Sequence, residues 1–137
     1  SISKFQNTIL KKDQPPTISP TIIPEKEISQ KLGEPMLETI KTSMKPKLFD
    51  QKKADNTNES FSKHWLEFVE PLREKMLDYD LIWNSMGECG ALRTPEDAKL
   101  DSNFYKDALR YGRFIRDRYT ILDLAGDSNQ LDNLVNV

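Results

Sequence analysis

Residues 104–125 read FYKDALRYGRFIRDRYTILDLA, and this stretch decides the fold. Its large apolar side chains recur at steps of three and four, the period of one face of an α-helix. Asp101 precedes the stretch and can cap its first turn, and Gly126 follows it at a suitable position for a C-cap. We therefore predict a single helix over about residues 102–125 with one buried face, formed by Phe104, Ala108, Tyr111, Ile115, Tyr119 and Leu122.

Helical patterns also cover the chain upstream of this stretch. In residues 25–43 apolar side chains recur at helical spacing, and Gly33 is expected to interrupt the helix before a restart at Pro35. Residues 50–60 are polar throughout and predict either a connector or an exposed helix start.

A second amphipathic stripe occupies residues 61–76. Pro71 lies inside this stripe and is expected to kink the helix or divide it in two. Asp78 can cap the next helix, which we expect to end at Gly87 or Gly90.

The sequence Thr94-Pro95-Glu96-Asp97 is a strong local signal for a helix start. Thr94 can serve as the N-cap, Pro95 suits the first helical position, and the two acids favour the positive end of the helix dipole. We therefore predict a short helix there. Because alternating apolar patterns typical of strands are missing, the chain as a whole is predicted to be all-α, a small bundle of four to six helices.

Prolines set the first part of the chain apart. Residues 15–24 contain Pro15, Pro16, Pro20 and Pro24, and such a segment cannot form a helix. We predict an extended, Pro-rich arm over residues 1–24 and a helical domain over residues 25–137. The arm is either a flexible tail or lies along a partner through the apolar anchors Phe5, Ile9, Leu10, Ile18, Ile22 and Ile23.

Composition excludes several classes of protein. The 137 residues are 36% hydrophobic and 31% charged, and no apolar run approaches the ~20 residues of a membrane span. A lone Cys89 and a lone His64 form neither a disulfide framework nor a Cys/His zinc cluster. The glycines form no nucleotide-binding loop, and a net charge of -2 gives no reason to expect nucleic acid as a partner. No signal peptide is visible, so we expect an intracellular, cytoplasmic protein.

Two stretches resemble a known family. Residues 89–100 read CGALRTPEDAKL, and residues 108–124 read ALRYGRFIRDRYTILDL. Both are similar to the C-terminal part of sn-glycerol-1-phosphate dehydrogenases, members of the superfamily of iron-containing alcohol dehydrogenases and dehydroquinate synthases. The phrase IRDRYTILDL of residues 115–124 is the most specific part, and weaker similarity extends it over roughly residues 30–132.

The resemblance implies the end of a helical domain without the catalytic apparatus. Enzymes of this family bind NAD(P) on an N-terminal dinucleotide-binding domain and hold a divalent metal with an Asp and two His residues, which this sequence does not provide. Leu92 also stands where the family turn has Pro. The resemblance therefore implies no catalytic, cofactor-binding or metal-binding residue in this chain, and a companion dinucleotide-binding domain as its partner.

Two arginines of the deciding stretch are candidate contacts to a phosphate group. Arg113 and Arg116 are near neighbours on a helical surface, and the guanidinium fork matches phosphate geometry. The alternative is that the arginines of this stretch pair with Asp107, Asp117 and Asp123.

Two tryptophans are candidate anchors for the core or for a domain interface, Trp65 and Trp83. His64 beside Trp65 is interpreted as a surface side chain. Cys89, which has no second Cys and no base at a fixed spacing, is interpreted as a buried or turn residue.

Two functions remain open at the level of sequence. The first is the helical C-terminal portion of a glycerol-1-phosphate dehydrogenase-like oxidoreductase, inactive alone and supplying a cleft wall and domain or subunit packing. The second is a stand-alone helical module that binds another protein or a second copy of itself. An independent enzyme is the least supported class, because no nucleophile, metal set or acid–base pair can be assembled.

Overall fold

The computed structural model describes residues 2–135 of the chain. This part contains eight α-helices and two short 3-10 helices. No β-strand occurs in this part, so the predicted all-α fold is confirmed. The helices are α1 (Ile2–Leu10), α2 (Glu25–Leu32), α3 (Glu34–Met44), α4 (Gln51–Lys75), α5 (Tyr79–Glu88), α6 (Ser102–Tyr111), α7 (Ile121–Asp127) and α8 (Leu131–Val135), and the 3-10 helices span Lys45–Lys47 and Gly112–Ile115.

Aspartates begin three of the helices. The Asp78 carboxylate accepts a hydrogen bond from the amide of Asp80 at 2.9 Å, and Asp101 accepts one from Phe104 at 2.9 Å. Both predicted caps are thus confirmed. Asp50 does the same for α4. Each carboxylate satisfies an amide that has no partner inside its helix.

Gly33 separates α2 from α3, as the sequence predicts. Its φ of 86° lies in the left-handed region, which a glycine adopts without strain. Pro35 then stands in the first turn of α3, where its missing amide hydrogen costs no hydrogen bond.

Helix α4 is longer than expected. It runs unbroken from Gln51 to Lys75, so residues 50–60 begin a helix and Pro71 does not divide it. Pro71 removes the hydrogen bond to the carbonyl of Glu67. Both residues are exposed, so water can satisfy this carbonyl.

The predicted single helix over residues 102–125 is wrong. α6 ends at Tyr111, the 3-10 helix Gly112–Ile115 follows, and Arg116 is extended with φ -132° and ψ 148°. Helix α7 begins only at Ile121. Ile115, which we expected on the buried face of the single helix, is 61% exposed at this point.

A side-chain cap explains where α7 begins. Thr120 is extended, and both its amide and its hydroxyl donate to the Asp123 carboxylate, each at 2.8 Å. This cap between Thr120 and Asp123 favours a new helix start over continuation of α6. Gly126, expected as a C-cap, instead lies inside α7, which ends at Asp127.

Residues 95–99 form turns and not the short helix predicted from Thr94. The expected cap is nevertheless present. The Asp97 amide donates to the Thr94 hydroxyl at 3.0 Å, and the amides of Arg93 and Thr94 donate to the Asp97 carboxylate, each at 3.1 Å. These two amide hydrogen bonds lower the pKa of Asp97. A φ of 54° at Lys99 then takes the chain out of helical geometry.

The extended arm predicted over residues 1–24 is only partly found. Ile2–Leu10 forms helix α1, in contrast to that prediction, whereas residues 15–24 are free of helix as the prolines require. The non-helical segment is fastened to the domain. Ile18 exchanges two hydrogen bonds with the Asn58 side chain, at 2.7 and 2.8 Å. The amide of Ser19 donates to the carbonyl of Asp127 at 2.7 Å.

Most of the proposed arm anchors are buried in the chain's own core. Phe5, Ile9, Leu10 and Ile18 are at most 6% exposed, and only Ile22 is largely exposed, at 81%. A free arm that docks on a partner is therefore not what this segment forms.

Two apolar clusters hold the helices together. The first joins α1, α4 and the helices α6 to α8. The second joins α2, α3, the end of α6 and the 3-10 helix Gly112–Ile115. The buried members of the first are Phe5, Ile9, Leu10, Trp65, Val69, Leu109, Ala125, Leu134 and Val135, and those of the second are Ile28, Leu37, Ile40, Met44, Tyr111 and Phe114.

Candidate functional site

A buried group of charges joins elements of the two clusters. The Lys47 ammonium, which follows α3, donates to the Asp123 carboxylate at 2.8 Å and to the carbonyls of Arg113 and Arg118 at 2.5 and 3.3 Å. The side chains of Lys47 and Asp123 are 3% and 0% exposed. All three donors of the ammonium are thereby used, which makes its burial tolerable.

Arg113 forms the second half of this group. Its guanidinium lies 2.5 Å from the Asp127 carboxylate and 3.5 Å from that of Asp123, and its side chain is 5% exposed. The space for it is left by Gly126, since a Cβ at that position would lie 1.2 Å from Nη1 of Arg113. Two cations thus face two carboxylates in the interior.

Tyr119 stands beside this group. Burial of its hydroxyl end and the nearby carboxylates of Asp127 and Asp123 raise the pKa of the phenol, although 43% of the whole residue is exposed. Its ring meets Phe49 edge-on, with centroids 5.6 Å apart.

A cleft of about 380 Å³ opens next to Arg113. Its charged groups are already matched within the chain. Arg110 pairs with Asp132 at 2.9 Å, and the Tyr111 hydroxyl donates a hydrogen bond to the Glu27 carboxylate at 2.9 Å. Burial and this hydrogen bond raise the pKa of Tyr111. The cleft is therefore close to electrically neutral.

The two predicted phosphate contacts do not form one site. Arg113 is buried and faces Asp127 and Asp123, so the alternative of structural pairing holds for it with Asp123, whereas Arg116 is exposed on extended backbone. Asp107, another proposed acid of this pairing, instead binds Lys31 at 2.5 Å.

Trp65 belongs to the core and not to an interface. It is 3% exposed, and its indole nitrogen donates to the carbonyl of Lys12 at 2.9 Å. Its ring packs against those of Phe61 and Phe68, with centroids 5.1 and 6.0 Å away.

Trp83 has a different environment, in a groove of about 320 Å³ bounded by α1, α5, the turn at residues 93–97 and α6. The Arg93 guanidinium lies 4.7 Å from the centroid of its ring, and Tyr79 lies on the same helix with its ring 5.9 Å away. Trp83 is half-buried, so it remains accessible from the groove.

The single histidine and the single cysteine of the chain do not lie together. His64 and Cys89 are both exposed and lie on different helices or helix ends. Within residues 2–135, no group of three or more His, Cys, Asp or Glu side chains could hold a metal ion. None of the helices between these limits combines the length and apolarity of a membrane span.

The sequence analysis missed Lys47 and Asp127, and it assigned Gly126 to a C-cap and not to the space that Arg113 occupies. Lys47 stands close to two other lysines, and nothing local distinguishes it from them. Thr120 and Asp123, however, have the three-residue spacing of a helix-capping pair, and that signal could have located the break before α7.

Comparison of the chain with protein-family models, with curated proteins and with solved structures found no match.

Proposed function

We propose that this chain is the helical C-terminal portion of a glycerol-1-phosphate dehydrogenase-like oxidoreductase, acting beside a dinucleotide-binding domain. The phrase IRDRYTILDL of residues 115–124 and the turn at residues 94–97 support this assignment, as does the all-α fold. The helical portion would provide a wall of the cleft and the surface on which the companion domain packs.

One structural observation carries the proposal. Helix α5 has apolar side chains but no buried residue. Leu81 on α5 is 57% exposed, and Leu92 and Phe104 beyond it are 61% and 64% exposed. We call these three side chains the apolar surface. Covering each one would contribute up to about 1.5–3 kcal/mol, and somewhat less here because each is already partly buried, so these side chains favour docking of another domain.

The division of labour follows from what each part contains. The companion domain would hold NAD(P) and the metal ligands, and the metal would polarise the carbonyl of dihydroxyacetone phosphate for reduction. The present chain would exclude water from that cleft. Its buried pairs Lys47–Asp123 and Arg113–Asp127 tie the two 3-10 helices to α7 within the same chain.

Co-expression tests the proposal directly. The 137-residue chain would be produced with the isolated dinucleotide-binding domain of a glycerol-1-phosphate dehydrogenase, and the pair would be purified through a tag on that domain. We expect an equimolar complex that oxidises NADH in the presence of dihydroxyacetone phosphate and Zn²⁺, and no activity from either part alone.

Matched variants locate the contact. Leu92→Glu and Phe104→Glu should abolish co-purification, since each would place a charge in the buried interface. Ile22→Glu is the control, because Ile22 is 81% exposed but belongs to the N-terminal segment. Activity of the chain alone, or capture that these variants leave intact, would contradict the proposal. A stable dimer of the chain through the same surface would support the stand-alone module instead.

A further inference from the structure

We propose that the groove around Trp83 binds a small organic phosphate that carries a flat ring. This groove belongs entirely to the present chain, so the inference goes beyond the proposed function and does not depend on a companion domain. It is bounded by α1, α5, the turn at residues 93–97 and α6, and has a volume of about 320 Å³. That volume is in the range of pockets that hold small ligands.

The groove carries an excess of positive charge. Among the described residues that line it, Lys4, Arg93 and Lys106 are basic and Glu96 is the one acid. Among the ion pairs of residues 2–135, none involves Lys4 or Lys106. Elsewhere in the same range, the cations Lys11 and Lys31 bind carboxylates. Unpaired cations that converge on one concave surface favour a multivalent anion such as a phosphate group.

Three aromatic side chains form another part of the wall. Tyr79, Trp83 and Tyr105 line the groove, and the rings of Tyr79 and Trp83 are tilted by 33° to each other. Because the Arg93 guanidinium covers one face of Trp83, this wall offers a flat ring contact with the aromatic edges and with the plane of that guanidinium. The combination of aromatic wall and cations therefore selects a phosphate that is attached to a ring over phosphate alone.

The cation nearest the aromatic wall is held in place before any ligand arrives. Arg93 lies over Trp83, and its Nη1 donates to the Trp83 carbonyl at 3.4 Å. Its backbone amide is bound by Asp97. Gly87 allows this close approach, because a Cβ there would lie 2.6 Å from Nη1. These contacts reduce the ordering that the exposed Arg93 side chain requires on binding, which favours affinity.

The cleft at Arg113 is a weaker candidate for an anion. Arg110 and Arg113 are each paired with an aspartate, and Glu27 lies on the same wall. A phosphate would have to displace these carboxylates, whereas at the Trp83 groove Lys4 and Lys106 are not engaged in that way.

Phenyl phosphate is the minimal probe, and tryptophan fluorescence is the readout. The Trp65→Phe variant leaves Trp83 as the only tryptophan and thus reports on the groove. We expect saturable quenching with one ligand per chain, and no such signal from Trp83→Phe. Calorimetry on the unchanged chain should give the same dissociation constant. Inorganic phosphate and phenol should each bind at least about tenfold more weakly, since each lacks one half of the interaction.

Charge variants complete the test. Lys106→Gln and Lys4→Gln should each weaken binding at least about tenfold, while Lys75→Gln, an exposed lysine at the end of α4, should leave it unchanged. Circular dichroism would check that each variant is folded. The proposal is overturned if phenyl phosphate does not saturate, or if all three lysine variants behave alike. It is also overturned if inorganic phosphate binds as tightly as the aryl ester, since the aromatic wall then has no part in recognition.

Discussion

Replacing Gly126 by alanine offers a sharp test of the buried charge group. The new Cβ would lie 1.2 Å from Nη1 and 2.3 Å from Cζ of Arg113, so the guanidinium must leave its position. A surface arginine would simply swing aside. Arg113 cannot do so without loss, because its side chain is 5% exposed and binds Asp127 at 2.5 Å.

The size of the effect follows from two opposing contributions. Breaking a buried ion pair, with one charge left uncompensated, costs about 3–5 kcal/mol. Alanine in place of glycine inside a helix favours folding by about 1 kcal/mol. Gly126→Ala should therefore lower the free energy of unfolding by about 2–4 kcal/mol.

Urea unfolding followed by circular dichroism would measure this change, and Gly112→Ala is the matched control. A Cβ at Gly112 would meet only Leu122 at 3.6 Å, an ordinary contact, and its φ of -57° suits alanine. The control should be unchanged or more stable by up to about 1 kcal/mol. The reasoning is refuted if both variants are equally stable, because the guanidinium would then not be confined.

Three further outcomes follow from the same region. Lys47→Met should lower the free energy of urea unfolding by about 3–5 kcal/mol, because Asp123 loses its cation. Lys45→Met, at an exposed position, is the control and should change this free energy little. Equal effects of the two variants would contradict the buried placement of Lys47. Tyr119 has a raised pKa in the folded chain, so its stabilisation is complete below about pH 10 and is lost as the pH rises beyond that value. Because the pKa of Tyr111 is raised as well, an alkaline absorbance titration should show that both tyrosines ionise later in the folded chain than in the unfolded one, and Tyr119→Phe should remove the more strongly delayed step. Arg116→Gln should alter the unfolding free energy by less than about 0.5 kcal/mol, because the side chain is exposed; a loss of more than 2 kcal/mol would disprove this placement.

The sequence was most informative where a local rule governs the backbone. Asp78 and Asp101 begin helices because their carboxylates reach the first free amides, and Gly33 divides two helices because it accepts a positive φ. Such features involve neighbours within a few residues. Helical periodicity likewise predicted the stripe of α4, although Pro71 proved tolerable near its exposed C-terminal end.

Periodicity was misleading in residues 104–125. The segments before and after the break both carry apolar residues, and apolar spacing alone does not record that the chain leaves helical geometry at Arg116. The buried charge group was even harder to predict from the sequence. Lys47 meets its partner Asp123 across 76 positions, and no local pattern distinguishes one buried lysine from its exposed neighbours. Long-range pairing of this kind is decided by tertiary packing.

The packing of α1 against α7 and α8 has a consequence for synthesis of the chain. Phe5, Ile9 and Leu10 belong to the same cluster as Leu134 and Val135, so that cluster cannot close until α8 has left the ribosome. At about 5–20 residues per second, the roughly 120 residues between α1 and α8 take about 6–24 s to make. During that time the apolar face of α1 stays exposed, so we expect chaperones to bind the nascent chain there.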